Sequence, residues 1–199
     1  IGEHERDQFN GFGYAERRRQ DTDQVFEFKY AGQFRNGDPH GNGVGLWPDG
    51  RIFVGEWREG AVHRGSLQFP AFGFERAGQY AGPFVDSQPH GIGQYSYADG
   101  RTYSGNVVQG QFEGRGHMRY PGTGSFPYRS YKGEWKSSLY SGKGELTYRD
   151  GRVFKGEFAG HRPHTGTLYD ANSSPIHKLK DGQIVSGSTN SAPEGNTTP

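Results

Sequence analysis

Six times along this chain an aromatic residue, a glycine and a further large residue stand two positions apart, and more glycines follow at fixed distances. With Tyr30 as position 0, glycine stands at +2 (Gly32), an aromatic at +4 (Phe34), glycine at +7 (Gly37), histidine at +10 (His40) and glycine at +11 and +13 (Gly41, Gly43). The frame recurs from Phe53 (Gly55, Trp57, Gly60, His63), from Tyr80 (Gly82, Phe84, His90, Gly91, Gly93) and from Tyr103 (Gly105, Gly110, Gly114, Gly116, with Val107 at +4). It returns from Tyr131 (Gly133, Trp135, Gly142, Gly144) and, more weakly, from Phe154 (Gly156, Phe158, His164). Gly2, Asn10, Gly11 and Gly13 fit a further copy whose position 0 would precede Ile1. The chain is therefore expected to begin inside a repeat, as a piece of a longer protein.

Parity turns this frame into a fold. Side chains alternate faces along a strand, so positions 0, +2 and +4 share one face, reading aromatic, glycine, aromatic. The other face carries Gln33, Arg35, Glu56 and Arg58. The second half of each copy alternates as well, as in Gly91, Gly93, Tyr95, Tyr97 against Ile92, Gln94, Ser96. Two alternating strands joined by a glycine-containing turn make a β-hairpin. Asp-Gly at 49–50, 99–100 and 150–151 supplies tight turns to the next hairpin. Glycine is a poor strand former, and its place inside these strands is expected to leave a hollow for an aromatic from the facing strand. Successive zero positions lie 23, 27, 23, 28 and 23 residues apart. The long steps insert "PAFGFERAGQ" and "PGTGSFPYRS", read as lengthened hairpin ends, and "YAERRRQDTDQVFEFKY" holds the equivalent place near the N-terminus.

Composition supports a folded but unusual core. Glycine is 34 of 199 residues, while hydrophobics are only 30% and aromatics 15%, so rings must supply most of the buried area. A disordered glycine-rich chain would lack those rings. The net charge of +1, with both signs interspersed, argues against nucleic acid as a partner. Without cysteine there are no disulfides, thiol nucleophiles or thiolate metal sites. No apolar run approaches the ~20 residues of a membrane span. A cytoplasmic location is expected, against which the sequons Asn172-Ser173-Ser174 and Asn196-Thr197-Thr198 weigh little.

The pattern Tyr-x-Gly-x-Trp/Phe-x-x-Gly-x-x-His-Gly-x-Gly, closed by Asp-Gly, resembles the MORN repeat (membrane occupation and recognition nexus) over about residues 1–168. The resemblance implies an all-β fold, an elongated solenoid of about seven stacked antiparallel β-hairpins. It also implies a non-catalytic scaffold in cytoskeletal or membrane-associated assemblies, sometimes in contact with phospholipid. The chain departs from the pattern at Ser87 and Ser138 (for the mid-turn glycine), Val107 (for the aromatic) and Glu113 and Ser141 (for histidine). His63-Arg64-Gly65 and His164-Thr165-Gly166 lack the glycine directly after histidine. Residues 169–186 read as a capping hairpin around Asp181-Gly182, and 187–199 as a disordered polar tail.

The chemistry-bearing residues also have plain structural roles. His40, His63, His90 and His164 share position +10, and a stacked array would set them in a row; a packing role in the turns is favoured over metal binding. "GFGYAE", "GNGVG" and "GKGE" lack the strand–loop–helix setting of a phosphate loop, and no nucleophile, base and orienter are arranged together. No catalytic, cofactor-binding or metal residue is assigned. The expected partner is a protein segment, peptide or helix, lying in a groove along the array. Its apolar anchors would be Tyr30, Phe34, Phe53, Trp57, Tyr80, Phe84, Tyr103, Tyr131 and Trp135, where any remain partly exposed, with Arg35 and Arg58 as a polar rim. Phe72, Phe74, Phe126 and Tyr128 either wedge between hairpins or form an aromatic edge. The alternative function is acidic phospholipid binding through Arg17, Arg18 and Arg19. A homodimer is a further expected assembly, and glycan binding a distant third reading.

Overall fold

A computed structural model describes the backbone at residues 10–21, 24–71 and 77–187, and the side chains there except at 17–21 and 24–27. Every regular element among these residues is a strand: β1 (Gly11–Asp21), β2 (Gln24–Arg35), β3 (Asp38–Leu46), β4 (Ile52–Arg58), β5 (Ala61–Phe69), β6 (Gly78–Val85), β7 (Gln88–Pro89) and β8 (Gly91–Tyr97). There follow β9 (Thr102–Val108), β10 (Gln111–Arg119), β11 (Tyr128–Lys136), β12 (Leu139–Tyr148), β13 (Val153–Ala159), β14 (Arg162–Tyr169), β15 (Pro175–Lys180) and β16 (Gln183–Gly187). They form a single antiparallel sheet in chain order, and only the two-residue β7 stands off this path, beside β6. This is the stacked-hairpin architecture the repeat frame predicts. The pairing β15–β16 adds a hairpin beyond the last copy.

Strand register aligns the copies into rows that cross the sheet. One row runs Tyr30, Gly45, Phe53, Leu67, Tyr80, Tyr95, Tyr103, Met118, Tyr131, Leu146, Phe154, Leu168. Two residues along each strand lies a row of glycines, back to back in the pairs Gly32–Gly43, Gly55–Gly65, Gly105–Gly116, Gly133–Gly144 and Gly156–Gly166. The position-0 ring lies flat over its glycine pair: a Cβ built on Gly43 would sit 2.5 Å from Cε2 and Cζ of Tyr30. The same ring also covers Gly32, on its own strand. The hollow on the second strand is thus filled by an aromatic from the facing strand, as expected, and the same ring also fills the hollow two residues later on its own strand. Side chains two apart on a strand share a face, and a missing Cβ lets the earlier ring fold down along its own chain.

A single sheet has no second layer, so these rings must act as one. Positions 0 and +4 meet edge to face in each copy that has both rings, at centroid distances of 5.0 Å (Tyr30–Phe34), 5.3 Å (Phe53–Trp57), 5.2 Å (Tyr80–Phe84), 5.2 Å (Tyr131–Trp135) and 5.2 Å (Phe154–Phe158). The +4 ring also reaches the preceding copy, as in Trp57 on Tyr30 at 5.0 Å and Phe158 on Tyr131 at 4.9 Å. An aromatic at +9 stacks on the position-0 ring at 3.7 Å both where Val107 replaces the +4 ring (Phe112 on Tyr103) and where Trp135 keeps it (Tyr140 on Tyr131). Edge-to-face pairs of this kind add about 0.5–1.5 kcal/mol beyond their buried area. The tyrosine hydroxyls are not stranded by burial: each donates to the carbonyl three residues on, at 2.8 Å (Gln33), 3.0 Å (Pro83), 2.7 Å (Asn106) and 2.8 Å (Glu134).

Both residues at +6 and +7 have positive φ in every copy, from Asn36 (52°) and Gly37 (78°) to Gly160 (57°) and His161 (70°), which is the type I′ hairpin turn. This explains the glycines at +7, but not Ser87, Ser138 and His161 in their place. Neighbouring hairpins supply the reason for the last two. The +7 N–H donates to the +9 carbonyl of the preceding copy: Gly60 to Pro39, Gly110 to Pro89, Ser138 to Phe112 and His161 to Tyr140. Proline at +9 has no N–H to satisfy, and there +7 is glycine. Phe112 and Tyr140 do have one, and it is accepted by Ser138 Oγ at 3.0 Å and His161 Nδ1 at 3.3 Å. At Ser138 and His161 the departure from glycine is therefore a stitch between copies; the structure gives no such reason for Ser87.

Candidate functional site

On the aromatic face the rings pack on one another, and Trp57 and Phe84 also line a groove of about 350 Å³ with Phe28, Trp47, Val62 and Leu67. All nine residues expected as partner anchors are buried: Tyr30, Phe53, Tyr80, Tyr103 and Tyr131 at 0–1% exposure, and Phe34, Trp57, Phe84 and Trp135 at no more than 9%. None remains partly exposed, since each ring is enclosed by glycine backbone beneath and a neighbouring ring above. Arg35 and Arg58 do stand exposed, on the opposite face. Arg17, Arg18 and Arg19 lie on β1, but their side chains fall outside the described residues, as do Phe72, Phe74 and residues 188–199. Phe126 packs on Tyr120 at 5.2 Å, and Tyr128 on Tyr120 and Tyr148 at 5.8 and 5.7 Å, the wedge reading of those inserts.

The open face has its own row, one residue along from the position-0 row. It runs Tyr14, Ala31, Val44, Val54, Ser66, Ala81, Gln94, Ser104, His117, Lys132, Glu145, Lys155, Thr167. From β1 to β9 this row carries no charge; from β11 to β13 it is charged, with Lys132, Glu145 and Lys155. In its first part Val44 and Val54 pair directly, at 42% and 53% exposure, beside the pair Leu46–Ile52. A groove of about 710 Å³ crosses β4 to β8 here, with Ile52, Val54, Gln68, Gln79 and Ser96 on its floor. In the second part a groove of about 660 Å³ is lined by Arg115, His117, Lys132, Glu134, Lys143 and Glu145. Burial holds His117 below the usual imidazole range, and Arg119 and Lys132 push it the same way. Lys155 pairs with Glu145 at 3.1 Å across this surface.

A third feature edges the aromatic side. Before each Asp-Gly-Arg stands an aromatic (Trp47, Tyr97, Tyr148), and the arginine folds back over its ring at 5.4, 4.9 and 5.4 Å. The aspartate fixes that arginine, Nε to Oδ2, at 2.7, 2.8 and 2.7 Å. Glycine with φ of 85–89° closes each three-residue loop. The recurrence of aromatic-x-Asp-Gly-Arg at 47–51, 97–101 and 148–152 was the available sequence signal for these lids. Among the described residues no three histidine, aspartate or glutamate side chains are gathered to hold a metal ion. No helix among them is long and apolar enough to cross a membrane.

The family model of the MORN repeat matches residues 30–50, 80–100, 103–124 and 131–151. The two copies between and after these matches begin with Phe53 and Phe154, the ones without a position-0 hydroxyl and without glycine at +11. In the matched copies that glycine has φ of 53–74°, and the Tyr30, Tyr80 and Tyr131 hydroxyls approach the carbonyl just before it. Rat (Rattus norvegicus) Alsin is 30% identical over 135 residues, a match covering 68% of this chain and 5% of that protein.

Proposed function

Since this chain belongs to the MORN-repeat proteins, we propose that it is a non-catalytic protein-interaction scaffold that docks its partner on the open face of the sheet. The setting is a cytoplasmic assembly, cytoskeletal or membrane-apposed. One observation carries the reading: the sheet packs its rings on one face, and across the other runs a row that carries no charge over β1–β9 and exposes Val44 and Val54 to water beside Leu46 and Ile52. A contiguous apolar stripe on a folded surface marks an interaction site. The partner thus meets Val44, Val54 and Ala81 in place of the buried aromatics. Affinity capture from cell extract with the full chain tests this, using the double change Val54→Glu and Ala81→Glu. That variant should melt like the unmodified protein and lose its partner; a partner retained in full would contradict the reading.

Acidic phospholipid is the second reading, favoured by three consecutive arginines on the edge strand β1. Such residues add about 1 kcal/mol each near an anionic surface. Flotation with phosphatidylserine vesicles should then fall with salt and with Arg17, Arg18 and Arg19 changed together to Ser.

A further inference from the structure

The groove over β4–β8 constrains its occupant more tightly than the general reading does. Its floor follows register partners across the strands, Ile52 to Gln68, Gln68 to Gln79 and Gln79 to Ser96, and holds no charged residue. Pro70, Ala77 and Ala98 wall one side. On the other side, Arg58 and Arg64 stand exposed, with the carboxylate of Glu56 between them, 2.9 Å from Arg58 and in register with Arg64. Strands β4, β5 and β8 are hydrogen-bonded on both sides and β6 pairs β5 and β8, so the floor offers a ligand side chains and no free backbone edge. An extended peptide there would leave its own N–H and C=O groups without partners, whereas a helix satisfies them internally.

Spacing agrees with a helix laid across the strands. Neighbouring strands stand ~4.8 Å apart, and an apolar helix stripe repeats on average every ~5.2 Å. From β4 to β8 the floor is ~14 Å long, which a helix covers in ~10 residues. We propose that this groove takes an amphipathic helix of a protein partner, with a narrow apolar stripe on the floor and an acidic flank toward Arg58 and Arg64. The proposal rests on the interaction reading above and adds the partner's conformation, direction and charge.

The test uses the full chain and labelled, stapled helical peptides of ~15 residues, followed by fluorescence anisotropy. All carry leucine at spacings of three and four; one bears glutamate on a flank, one lysine there, and one a central proline without the staple. The glutamate peptide should bind about fivefold more tightly than the lysine peptide, the size that two exposed ion pairs give. The proline peptide should not bind, Ile52→Asp should weaken both stapled peptides, and Arg64→Glu should reverse the flank preference. Equal affinity for both flanks, or binding by the proline peptide, would overturn the inference. So would phosphatidylserine vesicles binding through the groove, recognised by their loss in Ile52→Asp. If no peptide binds while a captured natural partner still depends on Val54 and Ala81, the helix inference fails and the interaction reading survives.

Discussion

Placing one methyl group under the Tyr30 ring, in Gly43→Ala, separates the two faces of the sheet energetically. The new Cβ would lie 2.5 Å from Cε2 and Cζ of Tyr30, about 1 Å inside ordinary contact, so the ring must lift from the strand. Lifting it opens the contacts with Phe34 and Trp57 and lengthens the 2.8 Å hydrogen bond to the Gln33 carbonyl. Overpacking costs about 1–3 kcal/mol and the weakened hydrogen bond about 1 kcal/mol. Replacing glycine within a strand returns about 0.5–1 kcal/mol. The net loss is about 1–3.5 kcal/mol, which lowers the melting temperature of a chain this long by roughly 2–14 °C. Val44→Thr, next along the chain on the open face, should stay within about 0.5 kcal/mol. Thermal melts with hydrogen exchange read both variants, and exchange should rise in β2–β4 and not in β12–β14, because stability in a repeat array is local. Equal melting temperatures for Gly43→Ala and Val44→Thr would refute the face assignment.

Ser138→Gly should cost about 1 kcal/mol in chemical denaturation although φ is 63° there, because the Phe112 N–H loses its acceptor; stabilisation by glycine would remove the stitching role. His161 accepts the Tyr140 N–H only when neutral, and burial holds its pKa below the ordinary value. Its contribution is therefore complete above the unfolded pKa of about 6.5 and is lost as pH falls through the lower folded value, a dependence that His161→Ser should abolish in melts across that range. Burial pushes Tyr80 and Tyr131 up to about 12 and raises Tyr103 as well. An ultraviolet titration should accordingly show these phenols ionising after the exposed tyrosines, and a single transition near pH 10 would contradict their enclosure.

The strands and their aromatic face were legible because parity is a local property: Tyr30, Gly32 and Phe34 declare a face within five residues. That one ring fills the hollows of two strands was not, since parity alone does not say that a ring packing on the facing strand also covers the glycine of its own. Three features depend on register and were hidden for that reason. The uncharged row joins Ala31, Val44, Val54, Ser66 and Ala81, spaced irregularly in sequence because bulges between Gly32 and Phe34, and between Glu56 and Trp57, shift the pairing. The link from Pro39 to Gly60, or from Phe112 to Ser138, joins residues of different copies, and a repeat frame scores each copy alone. The exposure expected of Trp57 or Tyr131 fails because a single sheet looks too thin to hide rings until the glycine backbone lets them lie flat.

Cysteine accessibility tests the central claim, that a partner meets the open face and the aromatic face only holds the array, most directly. The chain has no cysteine, so single probes can be placed without background. Val54→Cys and Ala81→Cys report the open face, and Arg51→Cys, at a lid over Trp47, reports the aromatic side. Alkylation rates are measured with and without the captured partner. Binding should slow modification at positions 54 and 81 severalfold and leave position 51 unchanged. Protection at 51 with 54 and 81 still reactive would contradict the account and return the partner to the aromatic side.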